Sequence, residues 1–212
     1  GIPAFMFAFA ETKVSSSVAG ILNSLTPIFT WTLGLLFFAV AFTRTQFIGV
    51  FIGFLGALLI IALEPNFTLS IDPMTLLVVL ATLSYAISGN IVKTHLQNVD
   101  PITLSCVAFL FIGIPGLAFT GFTDITHKVM NEPQALLSLG AIAILALVGT
   151  VLANILFFRL IQRTNAVFAS SVAYLIPVNA MVWGFIDGES LLWTHFAGMG
   201  FILTGIWVLR RK

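Results

Sequence analysis

Long apolar runs alternate with short polar breaks along almost the whole of this 212-residue chain. Eight hydrophobic segments result, at roughly 1–10, 16–40, 46–63, 74–93, 102–120, 135–161, 166–186 and 191–209. Each break carries turn or charge chemistry: Glu11–Lys13, Thr43–Thr45, Glu64–Pro73, Thr94–Pro101, Gly121–Pro133, Gln162–Asn165 and Asp187–Ser190. Most runs approach the ~20 residues with which an α-helix crosses a bilayer, whereas the first is about half that long. They are continuous rather than alternating with period two, which predicts spanning helices and not the short strands of an outer-membrane barrel. Short breaks make neighbouring helices antiparallel. The predicted fold class is all-α, a polytopic membrane helix bundle.

One run is interrupted from within. The stretch LNSLTPIFTWTLG, Leu22 to Gly34, sets Pro27 in the middle of an apolar segment. Proline lacks the backbone N–H and clashes with the carbonyl four residues back, so a kink that frees the carbonyl of Asn23 is expected. Self-comparison pairs this stretch with a second one at an offset of 150 residues: Lys13 falls on Arg163, Ala19 on Ala169, Leu25 on Leu175, Pro27 on Pro177 and Gly34 on Gly184. After a one-residue gap, Gln46 falls on His195, Gly49 on Gly198 and Gly56 on Gly205. Residues 73–212 then form a complete five-helix repeat, and 1–72 hold the last three helices of a first repeat, the first of them clipped.

Charge supplies an orientation. Arg44, Lys93, Arg159, Arg163, Arg210, Arg211 and Lys212 fall at one side with Asp100, while Lys13 and Lys128 fall at the other with Glu11, Glu64, Asp72, Asp124, Glu132, Asp187 and Glu189. Basic residues in short loops mark the cytoplasmic side, so both chain ends are expected there. The paired segments then run in opposite directions through the membrane, the inverted-topology arrangement of secondary transporters, whose sites lie near the midplane between the halves. Trp193 and Trp207 lie near opposite ends of the last run, where interfacial anchors belong.

Composition narrows the class further. The chain is 59% hydrophobic and 8% charged, against roughly 25% charged in soluble domains, and its mean hydropathy is +1.10. A net charge of +1 and the lack of any basic patch interleaved with aromatics give no sign of nucleic acid as a partner. The single Cys106 excludes an internal disulfide and is expected to pack as a small hydrophobe.

The stretch RTNAVFASSVAYLIPVNAMVWGFIDGESLLWTHFAGMGFILTGIWVL, Arg163 to Leu209, resembles the EamA-type branch of the drug/metabolite transporter superfamily. It is similar to that family's basic residue and Thr, small-residue run, Tyr-Leu-x-Pro-Val, Gly-Glu and glycine-rich last helix. TLSYAISGNIVKTHLQNVDPITLS looks like the first helix and loop of a repeat, and Lys13-VSSSVAGILNSLTPIF resembles the matching part of the first repeat. The first repeat departs from the pattern at Val40, which stands where the second has Glu189. The resemblance implies two inverted five-helix repeats, of whose ten helices the first two have no counterpart in this chain. It also implies efflux of small metabolites across the inner membrane.

Polar residues at membrane depth are costly and tend to face the bundle interior. On that ground the candidates for a substrate cavity are Asn23, Thr30, Trp31, Tyr85, Ser88, Asn154, Tyr174 and Asn179, with Pro27 and Pro177 as helix kinks. Each amide or hydroxyl has the alternative of a purely interhelical hydrogen bond, and each aromatic that of plain packing. Glu189 has a plainer role in the first turn of the last helix, beside Asp187 or Ser190 as cap. Gly49, Gly53 and Gly56, with Gly198 and Gly205, are expected to pack helices closely, within one chain or between two, so a homodimer is among the partners, beside the bilayer and a small solute. His95, His127 and His195 are scattered, which argues against a metal site. No phosphate-binding glycine loop is present, no cofactor is expected, and no Ser/His/Asp arrangement argues for an enzyme. The expected function is alternating-access export of amino-acid-like or amphipathic solutes. The rivals are a non-transporting scaffold or remnant and an intramembrane enzyme.

Overall fold

The computed structural model describes residues 2–41, 43–63, 73–121, 135–186 and 192–210. Its elements are α1 (Ile2–Ala10), α2 (Ser16–Asn23), α3 (Thr26–Phe37), α4 (Arg44–Ala62), α5 (Pro73–His95), α6 (Pro101–Thr120), α7 (Ala135–Ile144), a π-helical stretch (Leu145–Leu152), α8 (Ala153–Arg163), α9 (Ala166–Ser170), a 3-10 turn (Ser171–Tyr174), α10 (Leu175–Ile186) and α11 (Trp193–Arg210). Among the described residues there is no strand. Among the described residues, six helical spans are long and apolar enough to cross a membrane: Ser16–Phe37, Arg44–Ala62, Pro73–His95, Pro101–Ala118, Leu137–Arg163 and Ala166–Trp183. The first apolar run contributes only the nine-residue α1, and α11 carries His195 and Arg210 near its ends. The chain is therefore an integral membrane helix bundle.

It divides into two compact units, Asn98–Leu160 and Ile2–Gln97 with Ile161–Lys212. In the first, Pro115 lies inside α6, and Asn154 Nδ2 donates to the Thr150 carbonyl at 2.8 Å, where the π-helical stretch returns to α-helix. Cys106, expected to pack, is exposed on α6. The acidic start proposed for the last helix (Asp187, Glu189, Ser190) and His127 lie outside the described residues, as do Glu64, Asp72, Asp124, Lys128, Glu132, Arg211 and Lys212.

In the second unit α4 and α11 form an antiparallel pair whose backbones touch. A Cβ on Gly49 would stand 2.9 Å from the Gly205 carbonyl oxygen, and one on Gly205 would stand 2.7 Å from that of Gly49. Gly56 and Gly198 face each other in the same way, at 2.6 and 2.7 Å. The sequence twins Gly49/Gly198 and Gly56/Gly205 thus exchange partners, as residues do across a two-fold axis. Helix starts are twinned as well. Gln46 accepts the Thr43 N–H at 3.0 Å, and His195 Nδ1, at the paired position, accepts the Leu192 N–H at 3.3 Å. Ser15 Oγ accepts from Val18 N–H at the start of α2, and Asn165 Oδ1 accepts from Phe168 N–H at the start of α9.

Both proline segments are interrupted by a short tightened turn, with Ser24, Leu25, Ser171 and Leu175 still in the right-handed helical region. α2 stops at Asn23 and α3 starts at Thr26, so Pro27 falls in a first turn, where its missing N–H costs nothing. Thr26 Oγ1 donates at 2.6 Å to the Asn23 carbonyl, and Ser24 Oγ donates at 2.8 Å to that of Gly20. In the twin, α9 tightens into the 3-10 turn and Pro177 enters the first turn of α10. There Ser170 Oγ donates to the Val167 carbonyl at 2.9 Å and Ser171 Oγ to that of Phe168 at 2.7 Å. Hydroxyls satisfy carbonyls that water cannot reach in a bilayer, which is how membrane helices tolerate a break.

α3 ends on Ala39 in the left-handed region, φ 49°, with the Phe38 and Val40 N–H groups both reaching the Gly34 carbonyl. Alanine is strained there and glycine is not. Ala39→Gly is expected to stabilise the protein by about 1 kcal/mol, seen as a higher Tm in detergent.

Candidate functional site

A cavity of about 510 Å³ lies in the second unit, where the interrupted helices meet α1 and α5. That size suits a small ligand. α2 presents Ser16, Ala19, Gly20 and Asn23 to it, the i, i+3, i+4, i+7 stripe of a single helix face. α10 contributes Ile176 and Ala180, one turn apart and flanking Pro177. Phe7 and Glu11, also one turn apart, come from α1 and its end, and Tyr85 comes from the middle of α5. The Phe7 and Tyr85 ring centroids are 6.3 Å apart with planes tilted by 41°.

The wall is mostly apolar, with few polar groups converging on it. Asn23 Oδ1 receives a long bond from Thr26 Oγ1 at 3.4 Å. Among the described residues, neither Asn23 Nδ2, the Tyr85 hydroxyl nor the Glu11 carboxylate has a hydrogen-bond partner.

Of the eight sequence candidates, the structure brings Asn23 and Tyr85 to this cavity. Thr30 is buried, its hydroxyl turned back onto the Thr26 carbonyl at 2.8 Å. Asn90 pins the same turn from α5, its Nδ2 donating at 3.0 Å to the Thr30 carbonyl. Trp31 packs on Val50, Val167 and Leu209, with its ring 5.1 Å from that of Phe47. Tyr174 is 0% exposed in the core of Ala57, Ile60, Ile61 and Ile202, its hydroxyl donating to the Val50 carbonyl at 2.8 Å. Ser88 on α5 and Asn179 on α10 are exposed, and Asn154 belongs to the other unit. Pro27 and Pro177 are both buried at their breaks.

Sequence reasoning left Phe7, Glu11 and Ser16 out of the site. Their signal was spacing: Phe7–Glu11 at i, i+4, and Ser16 in the same stripe as Asn23. Glu11 was read only as a charge at a helix end. A second polar cluster steadies the start of α9. Lys93 Nζ donates to the carbonyls of Thr164 (2.6 Å) and Gln162 (3.3 Å), and Gln162 Nε2 donates to that of Leu96 (2.9 Å). Among the described residues, no group of three His, Cys, Asp or Glu side chains could hold a metal ion.

The EamA-like transporter family profile matches residues 1–62 and 73–211. The chain belongs to this family. It is 29% identical over 203 residues to a protein named "Uncharacterized transporter" from Archaeoglobus fulgidus, covering 95% of this chain and 70% of the relative. It is 24% identical to the "Uncharacterized transporter YyaM" of Bacillus subtilis, over 93% of this chain and 66% of that protein. It is likewise 24% identical to the "Uncharacterized inner membrane transporter YedA" of Escherichia coli, over 95% of this chain and 64% of that one. The chain thus spans about two thirds of the length of these relatives. A solved crystal structure shares the fold with a TM-score of 0.62 at 15% identity, over 98% of this chain and 71% of the other.

Proposed function

We propose that this membrane transporter family member exports small metabolites, amino-acid-like or amphipathic, across the cytoplasmic membrane by alternating access, with both chain ends cytoplasmic. The observation that carries the proposal is the cavity wall itself, to which α2 and α10, one part of each twinned proline segment, contribute beside α1 and α5. Discontinuous helices at the meeting point of two inverted repeats are where secondary transporters bind substrate. The exchanged glycine contacts of α4 and α11 support such repeats, with 1–72 in one and 73–212 in the other. Each half-helix ends in side-chain hydrogen bonds that can be re-formed at another angle, so the break can serve as a hinge as well as a wall.

Solute flux into proteoliposomes tests this. The Pro27→Ala/Pro177→Ala double variant is expected to lower flux while the protein still elutes as a folded species. Asn23→Leu removes one uncommitted donor from the cavity and is expected to weaken apparent affinity by about five-fold. Unchanged flux in both variants would remove the cavity from the pathway. No flux of any solute across amino acids, amines and amphiphiles would favour a scaffold.

A further inference from the structure

The charge balance of the cavity selects among the solutes a transporter could take. Glu11 supplies the only formal charge among the described lining residues, and no described Lys, Arg or His joins it there. Lys13, two positions on, is exposed and is not part of the wall. Glu11, exposed at the end of α1, lines the cavity with no cationic partner among the described residues, a charge that repels anions and attracts a cation. One helical turn before it, Phe7 stands beside Tyr85, so two aromatic rings share the lining with Glu11. Ring faces attract an organic cation and also accommodate an apolar body. At the other end of the α2 stripe, Asn23 Nδ2 is an uncommitted donor. Seven residues separate Ser16 from Asn23, which is about 10 Å of helix.

We propose that this cavity binds monovalent organic cations with an aromatic or apolar body, Glu11 pairing with the ammonium group, Phe7 and Tyr85 flanking it, and Asn23 donating to a neutral acceptor at the far end. The proposal rests on the transport reading for its biological purpose and on the cavity alone for its chemistry. A primary or quaternary arylalkylammonium fits this pattern. A free carboxylate does not, so an amine or amide should bind better than the corresponding zwitterion.

The test is isothermal titration of the purified protein in detergent with benzyltrimethylammonium, using 3-phenylpropionate as an anionic comparator of similar shape. Saturable binding of the cation and none of the anion is expected. Glu11→Gln should weaken the cation by about fivefold, Glu11→Asp much less, and Phe7→Leu or Tyr85→Leu by about two- to fivefold each. Retained elution volume and binding by Glu11→Asp show that a loss in Glu11→Gln is not misfolding. No cation binding by the wild type, unchanged binding in Glu11→Gln, or equal binding of 3-phenylpropionate would each overturn the proposal. Binding is read without flux, so the two ideas fail separately. Cation binding with no flux of any solute removes the transport reading, and flux of neutral or anionic solutes without cation binding removes this one.

Discussion

Gly56→Ala and Gly205→Ala are each expected to destabilise the protein severely, although each adds one methyl group to a helix. A Cβ on Gly56 would lie 2.6 Å from the Gly198 carbonyl oxygen and 2.7 Å from the Ile202 nitrogen. One on Gly205 would lie 2.6 Å from the Gly53 nitrogen and 2.7 Å from the Gly49 carbonyl oxygen. The obstacles are backbone atoms of a packed helix, which cannot rotate aside as a side chain can. The pair must separate along its length, losing contacts that in a membrane are dispersion and close packing rather than a hydrophobic force. Overpacking costs about 1–3 kcal/mol in ordinary cores, and a backbone obstacle puts these sites at or above the upper end. Gly200, on the same helix with nothing within 4 Å of its Cβ position, is the control. Gly200→Ala should be neutral or stabilise by up to about 1 kcal/mol through helix propensity. Thermal melts in detergent with size-exclusion profiles would show this, and equal Tm values for Gly56→Ala and Gly200→Ala would refute the seam as the stability determinant.

Tyr174→Ala is the second large effect, at about 3–5 kcal/mol. The ring is fully buried and lies against Gly53, where a Cβ would meet its Cδ2 and Cε2 atoms at 2.6 Å. Its hydroxyl reaches the Val50 carbonyl of α4, so one side chain ties the break before α10 to the glycine seam. Tyr174→Phe separates the two contributions: packing stays, one hydrogen bond goes, and the loss should be about 1 kcal/mol. If Tyr174→Phe cost as much as Tyr174→Ala, the hydroxyl rather than the ring would anchor the segment. The experiment also decides the role of Tyr174, which the sequence offered as a cavity wall and the structure places in the core.

The pairing of the two proline segments was legible because it rests on unusual residues at fixed spacing. Shared Leu and Val mean little in membrane helices, but Pro27 with Pro177, and three glycines with their twins, do not align by composition alone. The nature of the interruption was less legible. Proline in an apolar run predicts a disturbed helix, yet whether the chain bends or stops depends on what takes up the released carbonyls. At Asn23 the Thr26 hydroxyl donates to the released carbonyl, whereas that of Ala173 accepts the Leu175 N–H of the tightened turn. Polar residues at membrane depth proved ambiguous for a related reason. The Thr30 and Tyr174 hydroxyls and the Asn90 Nδ2 are buried against helix carbonyls, while Asn23 and Tyr85 line the cavity. Both uses read identically as a polar letter inside a hydrophobic run.

By itself the sequence determined the class, the helical segments, the twinned positions and the glycine stripes, because each follows from hydropathy and residue-specific backbone chemistry acting over a few neighbouring residues. Only the tertiary structure decided which helices the glycines join, that Gly49 meets Gly205 while Gly198 meets Gly56, and which polar groups share one cavity. Those facts depend on contacts between segments far apart in the chain. Glu11 shows the difference most plainly: along the chain it is an acid between two hydrophobic runs, and in space it is the one charged residue among the described lining of the cavity.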